Sequence, residues 1–180
     1  MCALPISTLG TATSAVHLQK LFRQTDEVVF CFDGDAAGRR AAWHALEVSL
    51  PNLSDDKTVR FLFLPQEDDP DSFVRAQGAA AFEKMVGEAR PLSEFLLGEL
   101  QGRVDMGTLE GRSRLIAEAK PMLQKIAAPA LQLQMLKQLG TVADMSYDEV
   151  SALTGIRGKV RSSPARAPAA TSSACFEWPA

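Results

Sequence analysis

The 180-residue chain has 46% hydrophobic and 23% charged residues and a net charge of −3, a balance that permits one ordinary globular domain, or one domain plus a small second one. No run approaches the ~20 consecutive apolar residues that span a bilayer, which argues against a membrane protein. Cys2, Cys31 and Cys175 are scattered and form no Cys-x-x-Cys pair, which argues against a disulfide framework and against a zinc site in this chain.

Residues 1–7 have neither the basic start nor the length of a signal peptide. Ala3-Leu4-Pro5-Ile6 matches the translation of a common sequencing-adapter end, so the native reading is expected to begin near Thr8. Thr13 or Ser14 can cap a helix that carries Val16, Leu18, Leu21 and Phe22. Val28-Val29-Phe30-Cys31-Phe32 is a short, continuous apolar run rich in β-formers, the pattern of a strand buried on both faces of a parallel sheet, with Cys31 as a small buried hydrophobe. It ends in Asp33-Gly34-Asp35. Residues 36–50 then predict a helix, with Ala37, Ala41, Ala45 and Val48 on one side and Trp43, Leu46 and Leu50 beside it, stopped by Pro51 and Asn52. Residues 54–56 read as a turn, and Val59 to Leu64 as a second strand.

Strand–helix–strand with a crossover of this length predicts a right-handed βαβ unit with parallel strands. Both acidic clusters, Asp33/Asp35 and Glu67 to Asp71, follow carboxyl ends of strands, the edge at which open α/β sheets bind ligands. From Pro70 the pattern is helical, with helices predicted over 70–77, 79–87, 91–100, 109–126, 129–139 and 146–154. Leu115, Ala119, Leu123 and Ile126 form one packing stripe. Residues 156–180, rich in Pro, Ala and Ser, read as linker or tail, and Arg157, Lys159, Arg161 and Arg166 there as a solvated basic stretch. The organisation expected is an α/β part to about residue 75 and a helical part to about 155.

Two carboxylates flanking a glycine at a strand tip repel one another, and a divalent cation between them relieves that repulsion. Mg²⁺, or Mn²⁺, suits such oxygen donors and keeps waters for substrate phosphates to replace. An N-cap explains one aspartate of the pair but not both. Asp69-Pro70-Asp71 has the competing reading of a helix start with proline at its first position. Arg39 and Arg40, one turn into the helix, are candidates for phosphate contact or are solvated. His17 and His44 have no partner at ligand spacing. An EF-hand loop begun at Asp33 fails because His44 stands where an acid is needed. A dehalogenase-type phosphatase fails at Ala37, and no Walker loop is present.

Phe32-Asp33-Gly34-Asp35-Ala36-Ala37-Gly38-Arg39, followed by Ala41-Ala42-Trp43 and Ala45-Leu46, resembles the Toprim motif of bacterial replicative DNA primases. Leu9-Gly10-Thr11-Ala12 with His17 resembles the segment before that strand. Phe61 to Pro65, Glu67, Asp69-Pro70-Asp71 and Ser72 to Arg75 resemble the segment after it. Pro91-Leu92-Ser93-Glu94-Phe95-Leu96 resembles the start of the family's helical subdomain. The resemblance spans about residues 8–155. It implies a fragment covering the carboxyl-terminal half of a Toprim domain and the helical subdomain of a cytoplasmic enzyme that copies single-stranded DNA into RNA primers from nucleoside triphosphates.

By the same resemblance Asp33 and Asp35 are metal ligands, with Asp69 and Asp71 a further acidic pair at that surface. The family also has a glutamate in an earlier Glu-Gly-Tyr-like strand motif, which this chain lacks, and Glu27 does not replace it. Zinc is implied only for an amino-terminal module outside this sequence, and helicase contact for a carboxyl-terminal domain outside it. Alternatives at this stage are another Toprim protein, such as an OLD-type nuclease or a mobile-element primase-like protein, and a non-catalytic partner-binding module. The isolated chain is expected to make no primers.

Overall fold

The computed structural model describes residues 14–65 and 70–156, without the side chains of Pro70 and Asp71. Residues 1–13 and 157–180, with the expected leader and tail, lie outside the described residues. The first helix, α1 (Ala15–Phe22), is capped by Ser14, whose hydroxyl accepts from the His17 amide at 3.3 Å. Strand β1 (Glu27–Phe32) leads into α2 (Ala36–Ser49), a short 3₁₀ turn (Leu50–Asn52) and β2 (Thr58–Phe63). The two strands pair in parallel from Glu27↔Thr58 to Phe32↔Phe63, as the βαβ pattern predicts.

Three details differ from expectation. Among the described residues β1 is an edge strand, and only Val28 is buried, the rest of the apolar run being half-covered. In α2 the buried positions are Gly38, Ala42, Ala45, Leu46 and Ser49, whereas Ala37 is exposed and Ala41 and Val48 are half-buried. Ser49 tolerates complete burial because its hydroxyl donates to the Ala45 carbonyl at 2.7 Å. Finally, the chain after Pro70 is not wholly helical. A two-residue strand, β3 (Arg90–Pro91), pairs antiparallel with β2 at Arg60 and Phe61, giving a mixed sheet of order β1-β2-β3. The Arg60 guanidinium secures this return by donating to the carbonyls of Ala89 (3.0 Å) and Gly87 (2.9 Å).

Around that strand lie α3 (Pro70–Gln77), α4 (Ala79–Gly87), α5 (Leu92–Gln101), α6 (Leu109–Lys125), α7 (Pro129–Ala143) and α8 (Tyr147–Thr154), at the predicted places except that α7 runs through Gly140 to end four residues later than expected. The α6 stripe is buried at Leu115, Ala119, Leu123 and Ile126, joined by Ile116. Pro121, inside α6, is exposed, so the carbonyl it deprives of a partner is on the watered side. A reciprocal capping box between Ser146 and Glu149 starts α8, and Gly155 in the left-handed region ends it.

Alternation along β2 divides the apolar residues between two clusters. Val59 and Phe61 point into a core shared with Ala42, Ala45, Leu46 and the buried faces of α5, α6, α7 and α8. Leu62 and Leu64 point the other way, onto Phe73 and Ala89 beneath the α3–α4 pair. The sheet and the helices after it therefore share one core.

A polar clamp reinforces that union. Helix α7 begins at Ala128-Pro129, which offers no side-chain cap, so its first amides need an acceptor from elsewhere. Asp55, in the turn between α2 and β2, accepts from Ala130 N (3.0 Å) and Leu131 N (3.1 Å). Asp55→Ala is expected to lower stability by about 1 kcal/mol, the usual loss of a helix cap. Urea unfolding of the two proteins measures it, and an unchanged midpoint would show the clamp to be energetically silent.

Candidate metal centre

Asp33 leaves the end of β1 and is exposed, with no side-chain hydrogen bond among the described residues. Two residues on, Asp35 is the N-cap of α2: its Oδ1 accepts from the Gly38 amide at 2.6 Å, and its carbonyl accepts from Arg39 N at 3.0 Å. Gly38 makes this loop possible. A Cβ built there would meet the Asp33 carbonyl oxygen at 2.0 Å, so the first turn of α2 rests directly on the backbone of Asp33. Thus the cap reading is correct for Asp35, but it engages one carboxylate oxygen and leaves the other free, and it leaves Asp33 without a role.

Strand register puts Phe32 level with Phe63, so the segments after β1 and β2 start at the same edge of the sheet. Asp69 lies outside the described residues, as does the side chain of Asp71; Asp71 belongs to the first turn of α3. Among the described residues no group of three or more His, Cys, Asp or Glu could hold a metal ion. The described donors are therefore two exposed carboxylates with unengaged oxygens. That set fits a hard cation that retains several waters, and it does not fit a closed four-ligand zinc site.

The two arginines behave differently. Arg39 reaches Glu99 of α5 (Nη1 to Oε1, 3.0 Å) with its guanidinium 5.7 Å from the centre of the Phe63 ring. Arg40 is exposed and makes no such contact among the described residues. His17 and His44 are exposed. Arg39 also lines a groove of about 380 Å³ with Arg90, Arg103, Glu94 and Glu99. Arg103 lies over the Trp43 ring at 3.9 Å. Sequence reasoning names Glu94 only within the family-like segment 91–96 and links none of the four to Arg39, because they come from α5 and its flanks, more than fifty residues further along, with no local pattern to connect them.

Cys31 is half-buried in β1. Burial, reinforced by the nearby Asp33 charge, pushes its thiol up to about 11. The thiol thus stays protonated at neutral pH, and its alkylation is expected to rise only as the pH approaches 11. Asp33→Asn should move that rise to lower pH, as read by site-resolved mass spectrometry; no movement would place Asp33 too far away to act.

Residues 4–64 match the family model of the Toprim domain, and residues 93–146 match that of the DnaB-helicase binding domain of primase. The DNA primase of Neisseria meningitidis serogroup A is 45% identical over 151 residues, covering 83% of this chain and 26% of that protein. Over most of its length the chain is similar to DNA primases. In structure it is similar to a DNA primase domain from Pseudomonas aeruginosa, with a TM-score of 0.78, 48% identity, and coverage of 82% of this chain and 46% of that one. It is also similar to a DnaG primase catalytic domain bound to ssDNA, with a TM-score of 0.75, 43% identity, and coverage of 78% and 45%. The chain spans about a quarter of the length of the curated relatives it matches.

These relatives favour a primase over the nuclease or binding-module alternatives. One expectation shifts. The resemblance implies helicase contact for a domain outside this sequence, yet the family model carrying that description matches residues within it, from Ser93 of α5 through all of α6 and α7. Among the described residues no helix is long and apolar enough to cross a membrane.

Proposed function

We propose that this chain supplies the metal-binding edge of a primer-synthesising RNA polymerase that copies single-stranded DNA. The observation that carries this is the placement of Asp33 and Asp35 at the carboxyl end of a parallel strand pair, inside the Toprim-matched residues. Asp33 and the free oxygen of Asp35 hold Mg²⁺, or Mn²⁺, and Asp69 and Asp71 complete the same acidic edge. Bound there, the ion offsets the phosphate charge of an incoming nucleoside triphosphate. Gly38 and the Asp35 cap hold the two carboxylates in place before any ion arrives. Arg40, which has no partner among the described residues, is the freer of the two arginines to meet phosphate, whereas Arg39 must first leave Glu99. The single-stranded template and the nucleoside triphosphates are the substrates, and α5 to α7 form the face for a replicative helicase.

The test is a graft. Residues 14–156 replace the corresponding segment of the Pseudomonas aeruginosa enzyme, and template-dependent primer synthesis is measured. Activity is expected, and Asp33→Asn or Asp35→Asn should reduce it at least ~100-fold, as for groups that stabilise transition-state charge. A graft that stays active with both aspartates replaced refutes the assignment. The 180 residues by themselves, lacking the family's earlier strand glutamate, should make no primers. Primer synthesis by this chain alone would show that the glutamate is dispensable.

A further inference from the structure

We infer that Arg39 is a positioning residue for the metal-binding loop, acting through Glu99 of α5. The inference rests on the reading of Asp33 and Asp35 as metal ligands. Arg39 follows Gly38, the residue whose amide bonds Asp35 and whose Cα abuts the Asp33 carbonyl. Its own amide donates to the Asp35 carbonyl at 3.0 Å. Its backbone is therefore part of the loop. The side chain finishes on another part of the fold, with Nη1 3.0 Å from Glu99 Oε1.

Between those ends the guanidinium lies over Phe63, the last residue of β2, whose ring is 6.1 Å from Phe32, the residue before Asp33. Phe63 in turn packs at 5.5 Å on Phe95, one helical turn before Glu99 on α5. One side chain thus touches the three elements that must keep their relative places if two carboxylates are to share an ion: the start of α2, the end of β2, and α5.

Exposed ion pairs add little to stability because water screens them, and the Arg39 side chain is 58% exposed. That weakness separates positioning from folding. Losing the strut should leave the global melting point almost unchanged while loosening the first turn of α2. Ion binding is sensitive to such loosening, because groups that orient metal ligands from outside the coordination shell commonly alter affinity roughly tenfold or more.

The experiment compares the full chain with Arg39→Ala, Glu99→Gln and Arg39→Lys, measuring melting temperature, Mn²⁺ affinity and hydrogen exchange at the Gly38 amide. Glu99→Gln preserves shape and lies outside the metal loop, so it is the decisive variant. The expected result is an unchanged melting point, faster Gly38 exchange and roughly tenfold weaker Mn²⁺ binding in both Arg39→Ala and Glu99→Gln. The double variant should be no worse than either single one, since both remove the same strut. Arg39→Lys should recover part of both effects.

If Glu99→Gln leaves Gly38 exchange and Mn²⁺ affinity as they were, Arg39 does not act through Glu99 and the inference is overturned. The Asn variants of Asp33 and Asp35 keep the two questions separate. Mn²⁺ binding that survives their combination sinks the metal reading, while the exchange measurement, made without any ion, still decides whether the strut exists.

Discussion

Gly38→Ala is expected to destabilise the chain by about 2 kcal/mol and to abolish its Mn²⁺ binding, although alanine is the better helix former. Inside a helix the exchange normally gains about 1 kcal/mol, since glycine has more backbone freedom to lose. At position 38 that gain is outweighed. The new methyl would lie 2.0 Å from the Asp33 carbonyl oxygen and 2.9 Å from its carbon, both backbone atoms that cannot rotate away. Either α2 lifts off the end of β1 or Asp33 is pushed outward. Overpacking of this kind costs about 1–3 kcal/mol, and loss of the Asp35 cap adds about 1 kcal/mol more.

The internal control is Gly98 in α5, where an added Cβ meets nothing within 4 Å. Gly98→Ala should therefore stabilise by up to about 1 kcal/mol. Urea unfolding and Mn²⁺ titration of both variants read the contrast. Equal gains at the two positions, with metal affinity intact, would mean that α2 does not rest on Asp33.

The features that were legible in the sequence are those encoded by neighbours along the chain. Ser14 marks a helix start through chemistry completed within one turn, and Pro129 stands at a first helical position that its fixed φ suits. The apolar runs at Val28 and Val59, with one helix between them, were enough to fix the parallel pairing. Three features depended on distant partners and stayed hidden. β3 is two residues long and contains a proline, so it has no strand pattern of its own; Arg60 and the edge of β2 create it. The inner face of α2 is set by the approach of Gly38 to Asp33, which favours small residues at 38, 42, 45 and 49 over the apolar set that includes Ala37. Asp55 reads as a turn residue locally, and only the fold brings the uncapped start of α7 to it. At the candidate site the sequence identified both carboxylates, but not Glu99, which lies sixty residues beyond Arg39.

Phe61→Ala is expected to cost about 3–5 kcal/mol and to lower the unfolding midpoint of sheet and helices together. Phe61 is 1% exposed and occupies the middle strand. Its ring packs on Phe30 (5.8 Å) and Phe32 (6.3 Å) of β1 on one side and on Phe95 of α5 (4.7 Å) on the other. Its removal therefore opens a cavity between the part matching Toprim and the helical part. With Trp178 replaced by Phe, Trp43 on α2 reports the first part by fluorescence, while far-UV circular dichroism is dominated by the helices that follow. If the shared core makes them one cooperative unit, both signals shift by the same amount and coincide along the urea axis. Two separable transitions, with only the tryptophan signal displaced, would show that the helices fold without the sheet. Phe73→Ala, in the smaller cluster on the α3–α4 side of the sheet, should cost less and leave the coincidence intact, because among the described residues that cluster fully buries only Leu62, Leu64 and Ala89 beside it. Coincident loss in Phe61→Ala would also bear on the proposed function. Carboxylates at the sheet edge cannot then hold their geometry unless α5 to α7 are folded, so a partner that binds those helices acts on the same equilibrium that organises the ion site.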